Sequence, residues 1–295
     1  MSTPGAMDAA IEEARRRALA DPRSDEALIR LALQDDDDDD DTEVWDAIGL
    51  LHLRGSDAIW QRAAAMTRSE QPLERRRGFD ILAQLGVPER QYPEETLALI
   101  LDALEHEQDA AVLSSAAVAV THRSDERAAA PLARHRNHPD AVVRHGVVLG
   151  LLTMETPTAI EALLELSRDS DVDVRDWATF ALGSQIDVDT PQIRDALRNR
   201  LSDPDDETRY EALCGLARRK DASIVPLLSN EIACGNCSRS LLEAAQQLAH
   251  PGLLPALIQL RDRQDSGSCD ASDWRALENA IAACESVHPD DGQNV

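Results

Sequence analysis

Four groups of residues in the chain have types and spacings that chemistry could use. In "CGNC", Cys234 and Cys237 stand three residues apart, the separation of a zinc half-site or a dithiol pair, and a helix starting there would lower a thiol pKa. In "RHRNHPDAVVRHG", His135, His138 and His145 place three imidazoles close in sequence, as a metal site requires. In "DVDVRDWATFALG", Asp171 to Gly183, acids, an arginine and a tryptophan adjoin an apolar run, the ingredients of an acid–base site. The aspartate run Asp35 to Asp41 offers a cation site or a clamp for a basic partner. It reads equally as an over-extended loop of solvated like charges whose Asp40 caps the next helix.

The third group is not unique, and that decides its meaning, because catalytic constellations are usually single while structural units repeat. Aligned on Arg175, the same frame fits "DPDDETRYEALCGLAR" on Arg209, "HPDAVVRHGVVLGLL" on Arg144 and "ERRRGFDILAQLG" on Arg75. Weaker copies centre on Val44, Leu113, Ser238 and Trp274. Small or apolar residues follow each anchor at three, six and seven positions, the stripe of an amphipathic helix. The anchors are separated by 29 to 38 residues, the period of a two-helix solenoid repeat. With aromatics at 3% and few β-branched runs, strands have little support. The expected fold is all-α, a right-handed α-α superhelix of about eight helical hairpins.

The acids then acquire a local role. An Asp stands four residues before six anchors, at Asp40, Asp109, Asp140, Asp171, Asp205 and Asp270, where the second helix of each hairpin should begin and a carboxylate can accept unpaired N–H groups. A further Asp six residues before the anchor, Asp169 or Asp203, can reach an anchor arginine of its own or a neighbouring repeat, forming an Asp–Arg ladder.

"DSDVDVRDWATFALGSQ" and "LSDPDDETRYEALCGLA" resemble HEAT repeats, in particular the short lyase-type HEAT-like repeats common in bacteria. The resemblance covers about residues 24 to 285. It implies an array of helical hairpins serving as an adaptor or binding surface, and is specific for fold rather than function. The expected organisation is a tail and capping helix over 1–23, the repeat solenoid over 24–285 and a disordered tail over 286–295.

Several functions associated with such repeats are disfavoured by the residues present. Net charge is −25, with a single lysine, Lys220, among 30 basic residues, so there is no basic stripe for the nucleic acid that HEAT-like alkylpurine DNA glycosylases bind. The same charge repels anionic membranes and suits a cationic protein or peptide. HEAT-like deoxyhypusine hydroxylases use repeated His-Glu pairs at the starts of second helices; here that slot reads Arg144-His145-Gly146, and the sole His-Glu pair is His106-Glu107. A zinc site at Cys234 and Cys237 needs two more ligands, and Cys269, Cys284 and His250 give no familiar spacing. Cys214 and Cys284 fall within helix stripes as core residues. The first segment lacks an apolar stretch with a small-residue cleavage site, so the expected location is cytoplasmic, with reduced thiols.

A binding surface remains. One and two residues after each anchor, side chains should point from the second helix into the concave groove: Trp45, Asp46, Arg76, Arg77, His145, Asp176, Trp177, Tyr210, Glu211 and Arg239. Aromatics beside arginines and acids have the composition of interaction hot spots, although Trp177 could instead pack on the adjacent repeat. The sequence reading is a non-enzymatic adaptor with no cofactor, binding a protein or peptide partner of basic character. Its alternative is an enzyme or metalloprotein, bilin lyase-like or hydroxylase-like, built on the cysteines or histidines.

Overall fold

The structure, a computed structural model, describes residues 4–34, 42–235, 238–263 and 271–286. Within them the chain is all-α, with no strand. Helix α1 (Pro4–Ala20) precedes eight hairpins. These are α2 (Asp25–Ala32) with α3 (Thr42–Arg54), α4 (Asp57–Met66) with α5 (Pro72–Gln84), α6 (Pro93–His106) with α7 (Ala110–Thr121), and α8 (Ala129–Ala133) with α9 (Ala141–Leu151). There follow α10 (Pro157–Leu166) with α11 (Val172–Phe180), α12 (Pro191–Arg200) with α13 (Asp206–Arg218), α14 (Val225–Ala233) with α15 (Arg239–Leu248), and α16 (Leu254–Arg263) with α17 (Ala271–Glu285). The chain divides into two compact units, residues 1–162 and 163–295. In the N-terminal unit α3, α5, α7 and α9 pack in succession and α1 rests on α3; in the C-terminal unit α11, α13, α15 and α17 do the same.

The repeating stripe forms the core. Of the residues three, six and seven after each anchor, all are buried except Leu50, which is half-buried. At 3.6 residues per turn these positions centre on one face, with the first residue after the anchor about 170° from it and the second about 90°. The second helices approach closely where the stripe carries glycine. A Cβ on Gly215 would lie 2.5 Å from the Cα of Gly183, so the contact between neighbouring turns depends on having no side chain there.

The turns between helices are closed by side chains. Asp109, Asp140, Asp171 and Asp205 each accept backbone N–H bonds at the start of α7, α9, α11 and α13, as the cap pattern predicts. Asp40 and Asp270, with the rest of the Asp35–Asp41 run, lie outside the described residues. The anchor arginines follow one rule. Nη1 of Arg75, Arg144, Arg175 and Arg209 donates to the carbonyl six residues earlier, that of Ser69, His138, Asp169 and Asp203, at 3.0, 2.8, 2.9 and 2.6 Å.

Two anchors also grip the next repeat. Arg175 reaches Asp203 through Nε at 2.9 Å and Nη2 at 3.1 Å, and Arg75 reaches Glu107 in the same way at 2.8 and 3.1 Å. Asp203 and Glu107 each stand six residues before the following anchor. They also accept the N–H of Asp205 and Asp109, which are the caps. The expected ladder thus exists at these rungs, with the acid provided by the following repeat. The arginines hold both carboxyl groups below their ordinary range against the upward push of burial.

Arg175 and Asp203 are 9% and 5% exposed, and Arg175→Ala removes the bidentate pair while Asp203 keeps Arg200 at 2.9 Å, so the change should cost about 1–3 kcal/mol. Chemical denaturation of Arg175→Ala, Asp203→Ala and the double variant checks this, with a coupling energy well above zero expected. Gly215→Ala should destabilise by about 1–3 kcal/mol through overpacking against Gly183, read as a lower denaturation midpoint.

Candidate functional site

The groove candidates divide by position within the helical turn. Those directly after the anchor all reach solvent: Trp45 is 44% exposed, Arg239 is exposed, and Arg76, His145, Asp176 and Tyr210 are half-buried. Those two after the anchor sit at the edge of the core stripe. Asp46 and Trp177 are exposed there, Trp177 by 38%, and Glu211 is half-buried. Arg77 departs from the expectation. It is 2% exposed, with Nη1 3.2 Å from Oδ2 of Asp80 and its guanidinium 5.6 Å from the Trp45 ring centroid. The flank of the stripe is covered here by the neighbouring helix, so Arg77 supports Trp45 from beneath instead of lining a groove.

In the C-terminal unit several of these residues form a surface of consistent chemistry. The edge of Phe180 meets Trp177, with centroids 5.6 Å apart at 86°, which fixes the indole while leaving part of it in solvent. Beside it on α11, Asp176 has its carboxyl pushed upward by burial and by Asp205, Glu207 and Asp173. Its Oδ1 is buried without a hydrogen-bond partner. On α13, Glu211 is pushed upward by burial and by Asp176 and Glu207, while Ser184 Oγ lies 3.4 Å from its Oε2. Tyr210 bonds to Cys214 and Ser240, and lines a 390 Å³ cleft with Leu213, Leu227, Glu231 and Leu241. Carboxylates on α11 and α13 therefore raise one another, and an approaching cation would relieve them.

The histidines have structural duties. Nε2 of His135 lies 2.7 Å from the Leu104 carbonyl, so it carries the proton. His138 stands six residues before Arg144, in the slot that holds Glu107, Asp169 or Asp203 in other repeats. Its Nδ1 accepts the Asp140 N–H at 3.1 Å, as the carboxylates do for their caps. The preceding anchor is Leu113, which has no guanidinium to pair, so an uncharged acceptor serves. His145 is half-buried one residue after its anchor. No group of three or more His, Cys, Asp or Glu side chains among the described residues is placed to hold a metal ion.

The expected helix start at the cysteines is not there. Cys234 follows the last residue of α14 and is exposed, while the next helix begins at Arg239. α14 ends five residues before the Ser238 anchor, where α10 and α12 end nine before theirs, and Gly235, at φ 92°, follows it, so Cys234 falls at a helix end. Cys237 and Cys269 lie outside the described residues. Cys284 is in the core as expected; Cys214 is only half-buried, with its thiol pushed up to about 11 by burial.

HEAT repeats match residues 97–183 and 160–230, which include the Leu113, Arg144, Arg175 and Arg209 anchors and the rungs between them. HEAT repeats thus occupy this part of the chain. It is similar to the protein YibA of Escherichia coli K12, and equally to that of strain O157:H7, at 33% identity over 115 residues. That stretch is 39% of this chain and spans 41% of the curated relatives' length. The crystal structure of E. coli YibA superposes with a TM-score of 0.70 at 22% identity, covering 97% of this chain and 98% of that one. This establishes a shared HEAT-repeat fold. The complex of CpcE and CpcF of phycocyanin lyase from Nostoc sp. PCC7120 aligns with a TM-score of 0.46 at 17% identity, over 89% of this chain and 96% of that one.

Sequence reasoning did not find Arg219. Its guanidinium, in a residue 8% exposed, donates to the carbonyls of Leu182, Gly183, Gly215, Ile186 and Val188. It thereby closes the helical turn that prolongs α11. It stands ten residues after the Arg209 anchor, as Arg54 does after Val44 and Arg123 after Leu113; those arginines likewise donate to carbonyls of the preceding segment, Ala18 and Asp21 for Arg54 and Leu82 for Arg123, and that recurrence could have marked it.

The cysteines give a direct check. At pH 8 an aromatic disulfide reagent should modify exposed Cys234 quickly and leave Cys214 and Cys284 unreacted until the chain is unfolded, as measured by mass spectrometry of digested protein.

Proposed function

We propose that this HEAT-repeat protein is a non-enzymatic cytoplasmic adaptor that docks a basic segment of a protein partner on the exposed side of α11 and α13. The carrying observation is the pairing of Trp177, 38% exposed, with two carboxyls, Asp176 and Glu211, whose strongest charged neighbours are other acids. An arginine or lysine satisfies both: its alkyl and cationic parts lie against indole while its N–H groups meet carboxylates. In the N-terminal unit Trp45, Asp46, Arg76 and His145 supply further exposed or half-exposed contacts, and Arg239 marks the next helix in the C-terminal unit. Nucleic acid and anionic membrane are disfavoured by the charge of −25; in addition, no helix among the described residues is long and apolar enough to cross a membrane. We read residues 1–23 as a tail and cap, in keeping with α1 resting on α3, and 24–285 as the repeat array.

Binding of an arginine-rich peptide, measured by calorimetry, tests this reading. Trp177→Ala should weaken it by about 2 kcal/mol, the scale of a hot spot, with thermal melting close to wild type; a core tryptophan would instead lose stability and affinity together. Acid should weaken the complex. Because the folded pKa values of Asp176 and Glu211 are raised, protonation removes their charge at a pH above the ordinary carboxylate range, and affinity falls as pH drops through it. Stability of the free protein moves oppositely, since the same protonation relieves their mutual repulsion. Asp176→Asn with Glu211→Gln should flatten the binding profile and lower affinity at neutral pH. Unchanged affinity in both variants would remove this surface from the site.

A further inference from the structure

The N-terminal unit contains a cluster of the opposite sign. After α5 the chain makes a compact turn: the His52 carbonyl accepts the Gly86 N–H at 2.8 Å, and the carbonyls of Gly86 and Leu85 accept the N–H groups of Arg90 and Gln91 at 3.0 Å each. Gly86 has φ 78°, and Arg90 and Tyr92 have φ 58° and 48°. Gly55 comes so near that a Cβ there would lie 2.8 Å from the Gly86 Cα. Four bases converge on this turn. His52 arrives from α3, with Nε2 2.9 Å from the Asp80 carbonyl. Arg90 belongs to the turn itself, and His122 and Arg123 follow α7, Arg123 Nη2 donating to the Leu82 carbonyl at 2.9 Å.

These bases feel one another. Burial, then His122 and Arg90, push His52 down to about 4, and burial, then Arg90, push Arg123 down to about 10. His122 is lowered by burial, Arg90 and Arg123. The acids on the same elements are engaged: Asp80 with Arg77 at 3.2 Å, Glu89 with Arg15 at 3.8 Å. Asp21 and Asp25 meet Arg54 of α3 at 3.7 and 2.7 Å. Most tellingly, Nε and Nη1 of Arg90 and Nε of Arg123 are buried with no hydrogen-bond partner, and so is Oε1 of Gln91. Buried guanidinium donors left unmatched are costly, and in proteins they are ordinarily answered by an acceptor. The C-terminal part of α5 supplies some of the answer through the Leu82 and Asp80 carbonyls, but those bonds leave the three nitrogens unused.

We propose that this turn is a binding site for a phosphate-class oxyanion, held by the Arg90 and Arg123 guanidinium groups beside His52 and His122. The acceptor required is small, because the turn is closed by its own backbone bonds. It must also be anionic, because the Arg90 and Arg123 guanidinium groups carry the charge here, His52 being pushed down to about 4 and so uncharged at neutral pH, and the nearby acids Asp80 and Glu89 are engaged with Arg77 and Arg15. Several acceptor oxygens on one centre suit donors on two different side chains better than a single-atom anion does. The site is separate from the acidic face of the C-terminal unit and of opposite preference, so neither proposal depends on the other.

Calorimetric titration and thermal melting of the full chain with inorganic phosphate, against sodium chloride at matched ionic strength, test the site. Phosphate should bind and raise the melting temperature where chloride does not. Arg90→Gln should lose about tenfold or more in phosphate affinity. It should melt no lower than wild type in chloride, since it removes an unmatched buried charge, whereas an arginine with a purely structural role would leave the variant less stable. Free phosphoserine as second probe distinguishes a carried phosphoryl group, which then binds as well as phosphate, from the free ion, which then binds alone. Absence of a phosphate-specific response in wild type, or its full retention in Arg90→Gln, would overturn the proposal. If that variant does not fold, the wild-type Arg90 and Arg123 Nε–H resonances decide: phosphate must shift them, and unmoved resonances would equally overturn it.

Discussion

The architecture hangs on one guanidinium. Where a first helix ends and a second begins only a few residues later, the final carbonyls of one and the first N–H groups of the other both lack partners. The Asp four residues before the anchor answers the N–H groups, and Nη1 of the anchor arginine answers the carbonyl six residues back. The remaining edge of the same guanidinium is then aimed at the next hairpin, where a carboxylate already held by backbone N–H bonds receives it in bidentate geometry. Turn closure and inter-repeat registry are therefore one interaction. Because both partners are nearly excluded from water, losing either one removes a charge-assisted pair from the interior, with Asp203 left to Arg200 and Arg175 to the Asp169 carbonyl.

That economy explains what the sequence disclosed. Caps, anchors and the three-six-seven stripe are local or periodic, and each recurs often enough to be read by aligning the chain with itself. His138, read from the sequence as a candidate metal ligand, takes the acid's slot in its turn, where the preceding anchor Leu113 offers nothing to pair. What failed to show was what neighbouring packing decides. Arg77 and Trp177 occupy the same helical position, yet one is buried under an adjacent helix and the other reaches solvent, because two residues after the anchor lies at the margin of the buried stripe. Arg219 shares its place ten residues after an anchor with Arg54 and Arg123, but its five carbonyl partners come from two segments of chain that only folding brings together. Cys234 was misplaced because α14 runs further toward its anchor than α10 and α12 do, so a helix end falls where the frame sets a helix start.

The surplus of acid over base has a physical distribution. Acids six residues before an anchor are neutralised by arginines, and their pKa values fall. Asp176 and Glu211, placed just after an anchor, face other carboxylates and are raised. The repeat frame thus sorts identical side chains by position: before the anchor a carboxylate is part of the scaffold, after it a carboxylate is left with charge that the scaffold does not answer.

The same reasoning applied to bases separates Arg175 from Arg90. Both are partly withdrawn from water, but every nitrogen of Arg175 donates to a carboxylate or carbonyl, while Nε and Nη1 of Arg90 donate to nothing. Nε is also left unmatched in Arg77, Arg123, Arg200 and Arg219, but among the described arginines Arg90 is the one with two such nitrogens. In a repeat protein, whose frame supplies no catalytic group of its own, function must reside in departures from the frame. The two departures here, acids raised by burial and by one another on α11 and α13 and partly buried arginines left unmatched after α5 and α7, call for ligands of opposite charge.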